Sequence, residues 1–142
     1  MRHTSGNPAA RAWLERPREA ERNAERLRRR VENLRLLTTD TSSHLTGMPR
    51  TESPDLQRTA SLLAEIDEAE RALAAAEAEA EALRVETGVA VCRVPDPVQQ
   101  RVLLLRYLEG RSIKDIAARI SYSRTQTYRF HELGLAEIGK ML

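Results

Sequence analysis

The residues best suited to chemistry lie together near the C-terminus, in Ser123-Arg124-Thr125-Gln126-Thr127-Tyr128-Arg129. A Ser followed three residues later by Gln is the pattern of a capped helix start. That places Arg124, Thr125, Gln126 and Arg129 on the first two turns of a helix. These side chains fit base edges: Arg pairs bidentately with guanine, Gln with adenine, and Thr offers both a hydroxyl and a methyl. Arg111, Lys114 and Arg119 fall on the preceding helix or its entry. Together with Ser123 and Tyr128, they are the candidates for contacting phosphates. No arrangement for catalysis competes with this one. His3, His44 and His131 have no nucleophile or carboxylate cluster beside them, and the single cysteine, Cys92, permits neither an intrachain disulfide nor a Cys/His zinc site. The expectation is therefore a binding protein and not an enzyme, with no cofactor and no metal. His131 is expected at the surface or facing phosphate, and Cys92 inert in a linker.

Positioning such a reader takes several elements. Pro95-Asp96-Pro97 predicts a helix start with Asp96 as cap, and Val98, Val102, Leu105 and Leu108 give that helix an apolar face that ends at Gly110. Ser112, with Asp115 three residues on, caps a short helix whose inner side is Ile113, Ile116, Ala117 and Ile120. After the turn Ile120-Ser121-Tyr122, the third helix turns Thr127, Phe130, Leu135 and Ile138 inward. Two short helices joined by a tight turn and braced by a third predict a helix-turn-helix over 95–142.

Upstream, Ala20, Ala24, Leu27, Val31 and Leu34 alternate in steps of four and three, which predicts a helix from Pro17 to Leu37. Pro17 suits a first turn, so 1–16 reads as a tail or a short helix on which Trp13 and Leu14 dock separately. The run Arg28-Arg29-Arg30 is expected to face water or a phosphate backbone. Eight of the seventeen residues from Thr38 to Pro54 are Ser or Thr, which marks a long connection. Ser53 and Pro54 then open a second helix from Asp55 to Glu86, about 48 Å long at 1.5 Å per residue. Leu62, Ile66, Ala69, Leu73, Ala76, Ala80 and Leu83 hold its four-three stripe, and Gly88 ends it. The two stripes predict an antiparallel helical hairpin over 17–88 with coiled-coil packing, followed by a linker at 89–94. The second helix outlasts the first by about three turns on this reading, leaving seam for a homo-oligomeric partner.

The whole is expected to be all-α. The chain has 142 residues, 31% charged and 4% aromatic, a poor composition for a β-rich fold. Its net charge of +2 is segregated: residues 1–37 carry ten Arg against five Glu, 38–91 four Arg against eleven acids, and 92–142 nine basic against five acidic groups. Basic ends around an acidic middle point to an anionic partner such as double-stranded DNA. No run approaches the ~20 apolar residues of a membrane span, and no signal peptide is legible. A cytoplasmic setting without membrane contact is the expectation.

The stretch Val102-Leu103-Leu104-Leu105-Arg106-Tyr107-Leu108-Glu109-Gly110, with Ile113, Asp115-Ile116-Ala117, Tyr122-Ser123 and Tyr128-Arg129-Phe130-His131, resembles region 4 of bacterial sigma factors. In more detail the chain is similar to small phage proteins described as sigma-like or RinA-like transcriptional activators. Leu34-Arg35-Leu36-Leu37-Thr38-Thr39 with Met48-Pro49-Arg50 resembles the connection of the N-terminal hairpin in that group. The resemblance covers roughly residues 20–140. It implies a phage or prophage regulator that binds promoter DNA with Arg124, Thr125, Gln126 and Arg129, acting with RNA polymerase of a bacterial host. Two positions depart from the pattern. Ser121 stands where Gly is usual, and Gly134 stands where Ala is usual, which should weaken the third helix by ~1 kcal/mol. The other sigma regions are missing, so a self-sufficient sigma factor is not implied. Two other functions fit the same elements: a phage terminase small subunit, and a structural or interaction protein that uses the hairpin.

Overall fold

The computed structural model describes residues 6–43 and 54–142, and all regular structure among them is helical. Five α-helices follow one another: α1 (Pro8–Ser43), α2 (Pro54–Cys92), α3 (Pro97–Leu103), α4 (Ile113–Ile120) and α5 (Arg124–Met141); a π-helical segment, Leu104–Leu108, continues α3. The chain divides into two compact units, one of residues 1–20 and 79–142, the other of residues 21–78.

In the first unit, α1 begins nine residues before the expected start. The Asn7 Oδ1 accepts from the Ala10 amide at 3.1 Å, capping a helix whose first residue is Pro8. Pro17 therefore lies inside α1, contrary to its expected place at a first turn. A proline there cannot donate to the Trp13 carbonyl. Arg16 Nε donates to that oxygen instead, at 3.0 Å, and the Arg16 guanidinium sits 4.4 Å from the centre of the Trp13 ring. Burial of Pro17 and Leu14 holds the helix together across the missing bond. Residues 8–16 are thus the first turns of α1 and not a separate short helix, and residues 1–5 lie outside the described residues. Leu14 joins Ala10, Val91, Val94, Leu103, Tyr107, Leu135 and Ile138 in one core, with Trp13 packed against it.

The far end of α2 also differs from expectation. The helix passes through Gly88 and ends at Cys92, so the expected stop at Gly88 and most of the expected linker are helical. A mid-helix glycine costs about 1 kcal/mol. Continuation buries Val91 fully, and burial of a Val side chain contributes roughly 1.5–3 kcal/mol. A Cβ at Gly88 would lie 3.8 Å from Leu108, ordinary contact distance.

The Asp96 carboxylate caps α3 by accepting from the Val98 amide at 2.8 Å. The following turn widens: the Glu109 amide bonds to the Leu104 carbonyl at 3.1 Å, five residues back. Gly110, at φ +72°, then stops the helix. Leu103 and Tyr107 face the core shared with α1, α2 and α5, whereas Val102 and Leu105 face a second core with Ile113 and Ile116 of α4.

In the second unit α1 and α2 are joined by ion pairs. Arg28 reaches Glu77 at 3.1 Å, and Arg35 reaches Glu70. Seven residues forward on α1 matches seven backward on α2. Ala24 and Val31 on α1, and Ala69 and Ala76 on α2, are buried; Leu27, Leu34, Leu62, Ile66 and Leu73 are half-buried. The stripe residues are thus the covered ones. Arg28 does not simply face water as expected, because its guanidinium bridges Glu25 and Glu77. The expected end of the first helix at Leu37 is also passed. Thr38 and Thr39 lie within the helix, their hydroxyls donating to the Leu34 and Arg35 carbonyls one turn back. With 36 residues in α1 and 39 in α2, the length mismatch that left seam for a partner is absent. The expected cap Ser53 and the connection residues 44–53 lie outside the described residues.

Candidate nucleic-acid interface

Each end of α4 is closed by a local interaction. The Ser112 Oγ accepts from the Asp115 amide at 3.2 Å, and Ile113, Ile116 and Ala117 are buried. After Ile120 the chain reverses at Ser121, which takes the left-handed conformation at φ 61°, ψ 39°. The amides of Ser121 and Tyr122 both return to the Ala117 carbonyl. A left-handed conformation at a residue with a Cβ carries strain that a Gly would not.

The start of α5 is fixed through Ser123 and Thr127. The Ser123 Oγ accepts from the Gln126 amide at 3.1 Å. Its carbonyl accepts from the Thr127 amide at 2.9 Å and the Thr127 hydroxyl at 2.8 Å. Thr127 is fully buried, and its flanking residues Arg124, Thr125, Gln126, Tyr128 and Arg129 are all exposed. One buried residue thus anchors the turn that presents the four expected base readers on a single outer surface. Phe130, half-buried against the α4 core, receives the Tyr122 ring edge-on at 4.9 Å between centroids. That contact braces the turn from outside the core.

The expected phosphate set is divided by its surroundings. Lys114 is exposed and pairs with no carboxylate among the described residues. Arg111 and Arg119, in contrast, both converge on the Asp115 carboxylate, at 3.4 and 3.5 Å, and Arg111 also lies 3.7 Å from Glu109. Their charge is partly compensated before any ligand arrives. The sequence reading missed this role of Asp115, although positions 111, 115 and 119 at successive steps of four carry the signal. Ser123 spends its acceptor on the cap and keeps its O–H as a donor. Tyr128 is more than half exposed.

The opposite face of α5 is core, and His131 belongs to it. Contrary to the expected surface position, His131 is buried, with Nε2 2.7 Å from the Tyr107 hydroxyl and the rings stacked at 5.7 Å. Nδ1 lies 3.7 Å from Glu132, whose other oxygen accepts from the Gly6 amide at 2.9 Å. With Nδ1–H toward that carboxylate, Nε2 accepts from Tyr107. Burial holds the imidazole below its ordinary pKa, and burial pushes the Tyr107 phenol up. The group is a structural pair sealed from solvent. His131 was misplaced because the helical step of four from Thr127 that puts it inside competes with its polar side chain.

Gly134 is buried where α5 crosses α3; a Cβ there would come within 3.0–3.3 Å of three Leu103 carbons. Close approach of the helices explains a glycine that the sequence alone registers as a loss. Cys92 is exposed at the end of α2 and not in a linker. Among the described residues no three His, Cys, Asp or Glu side chains gather as a metal site, and no helix is long and apolar enough to cross a membrane. Comparison with family models, with curated proteins and with solved structures finds no match to the chain.

Proposed function

We propose that the chain is a sequence-specific double-stranded DNA-binding protein in which α4, the turn at Ser121 and α5 act as a helix-turn-helix. In this reading α5 lies in the major groove. The observation that carries it is the exposure of Arg124, Thr125, Gln126 and Arg129 around the one buried anchor, Thr127. A helix start fixed by backbone caps on one side and free on the other presents reading side chains with little reorganisation. Lys114, and Arg111 and Arg119 once drawn from Asp115, supply phosphate contacts that set position without selecting sequence.

The resemblance to sigma factor region 4 and to sigma-like phage activators makes a phage transcriptional regulator acting with host RNA polymerase the most specific form of this proposal. The second unit is then a helical hairpin, a reading supported by the opposed register of its ion pairs.

The test begins with selection of a site from random duplexes, followed by titrations across a salt series. Arg129→Ala is expected to weaken the selected site by ~1–3 kcal/mol and to relax preference at one or two base pairs. Lys114→Ala should weaken selected and random duplexes alike and lower the salt slope by about one. Uniform loss with Arg129→Ala would assign it to phosphate and remove α5 as the reader. Absence of any salt-dependent duplex binding by the unaltered protein would remove the DNA-binding reading.

A further inference from the structure

The arginines of α1 in the second unit fall into two classes. Arg28 and Arg35 turn toward α2, where Glu77 and Glu70 neutralise them. Arg22, Arg26 and Arg30 are all exposed and pair with no carboxylate among the described residues. The neighbouring Glu25 is already shared by Arg28 and Arg29, and among the described residues Arg26 makes a neutral contact, to Asn23 Oδ1 at 3.3 Å. Positions 22, 26 and 30 are successive steps of four, so the three cations stack along one side of the helix, away from buried Ala24 and Val31.

Like charges at this spacing destabilise a helix. The chain nonetheless sets two such pairs in sequence, while Glu25 of α1 serves Arg28 and Arg29, and Glu77 and Glu70 of α2 serve Arg28 and Arg35. An electrostatic cost kept on an open face calls for an anionic partner that offsets it.

We propose that the Arg22, Arg26 and Arg30 face of α1 grips the phosphate backbone of duplex DNA, as a sequence-independent contact separate from α5. Four residues of helix rise about 6 Å, and each strand of a duplex presents a phosphate every ~3.4 Å along its axis, so each guanidinium can meet a phosphate of its own. All ten basic residues in 1–37 are Arg and none is Lys, and the guanidinium fork matches phosphate oxygens bidentately. The choice of duplex as the anion rests on the DNA-binding reading above; the unpaired cationic face does not.

The experiment uses the full chain and a long random-sequence duplex, titrated over a salt series, with thermal melts in parallel. The triple variant Arg22→Gln, Arg26→Gln, Arg30→Gln should bind about tenfold or more weakly at moderate salt, with a slope lower by about two to three. Its Tm should be equal to or above that of the unaltered protein, because repulsion has been relieved. The matching Arg→Lys variant should keep the slope. A Gln variant with unchanged affinity and slope overturns the inference and leaves the α5 reading standing. A Gln variant that loses binding together with Tm also overturns it, since the residues would then be structural. Loss of polyglutamate binding with duplex binding intact overturns it in favour of an acidic protein partner. No duplex binding by the unaltered protein defeats both readings.

Discussion

At the scale of single residues, neighbours three or four positions away account for most of what the side chains do. Ser112, Ser123 and Asp96 each cap the helix that follows, and their partners lie two or three residues on. His131 behaves otherwise. Its environment comes from Tyr107, 24 positions earlier in the chain. The consequence is a pH dependence of stability. Burial keeps His131 neutral in the folded state below its ordinary pKa, while the unfolded chain protonates near ~6.5. The unfolded state then binds more protons as pH falls. The contribution is therefore fully present above ~6.5 and is lost as pH drops through the depressed folded value. Urea denaturation between about pH 7 and 5 should show falling stability in the unaltered protein and a flatter profile in His131→Gln. Equal slopes for the two would place the titration elsewhere.

At the scale of elements, helix propensity and packing make opposite forecasts for Gly134. By propensity alone, Gly134→Ala adds about 1 kcal/mol of stability to α5. By packing, the new methyl meets Leu103 at 3.0–3.3 Å, and Leu103 is fully buried in the core that α3 shares with α5. Overpacking of this kind costs roughly 1–3 kcal/mol, so packing is the larger effect. Gly134→Ala should lower the urea midpoint, and a raised midpoint would mean that α3 and α5 can separate without cost. Pro17 and Gly88 carry the same lesson, since both are helix-breaking residues inside helices. Each is tolerated because neighbours on the same helix, Leu14 for the first and Val91 for the second, are fully buried.

For the molecule as a whole, the division at residues 20–21 and 78–79 separates the start of α1 from its middle. The first turns of α1 share a core with Leu135 and Ile138 of α5, more than a hundred residues away in sequence. The unit containing the candidate interface therefore needs its N-terminal segment. Leu14→Ala should destabilise that unit by ~2–5 kcal/mol and weaken duplex binding near its melting temperature. Leu36→Ala, at a side chain 65% exposed, should change stability by no more than about 0.5 kcal/mol. Equal melting of the two variants would detach α1 from the core.

The amino-acid sequence by itself determined the helical class, the capped starts at Asp96, Ser112 and Ser123, the stop at Gly110, the covered stripes of α1 and α2, and the exposure of Arg124, Thr125, Gln126 and Arg129. All of these depend on interactions within about one helical turn or on the 3.6-residue period, which a linear chain displays directly. Tertiary structure decided that α1 runs through Pro17, that α2 runs through Gly88, that His131 is core, and that Asp115 holds both Arg111 and Arg119. Three of these four depend on which distant surfaces meet, and burial there outweighs the local preference of the proline, the glycine or the imidazole. The Asp115 clamp is the exception, for its spacing is local and legible. Only the side-chain geometry of the folded α4 shows that one carboxylate serves both guanidiniums.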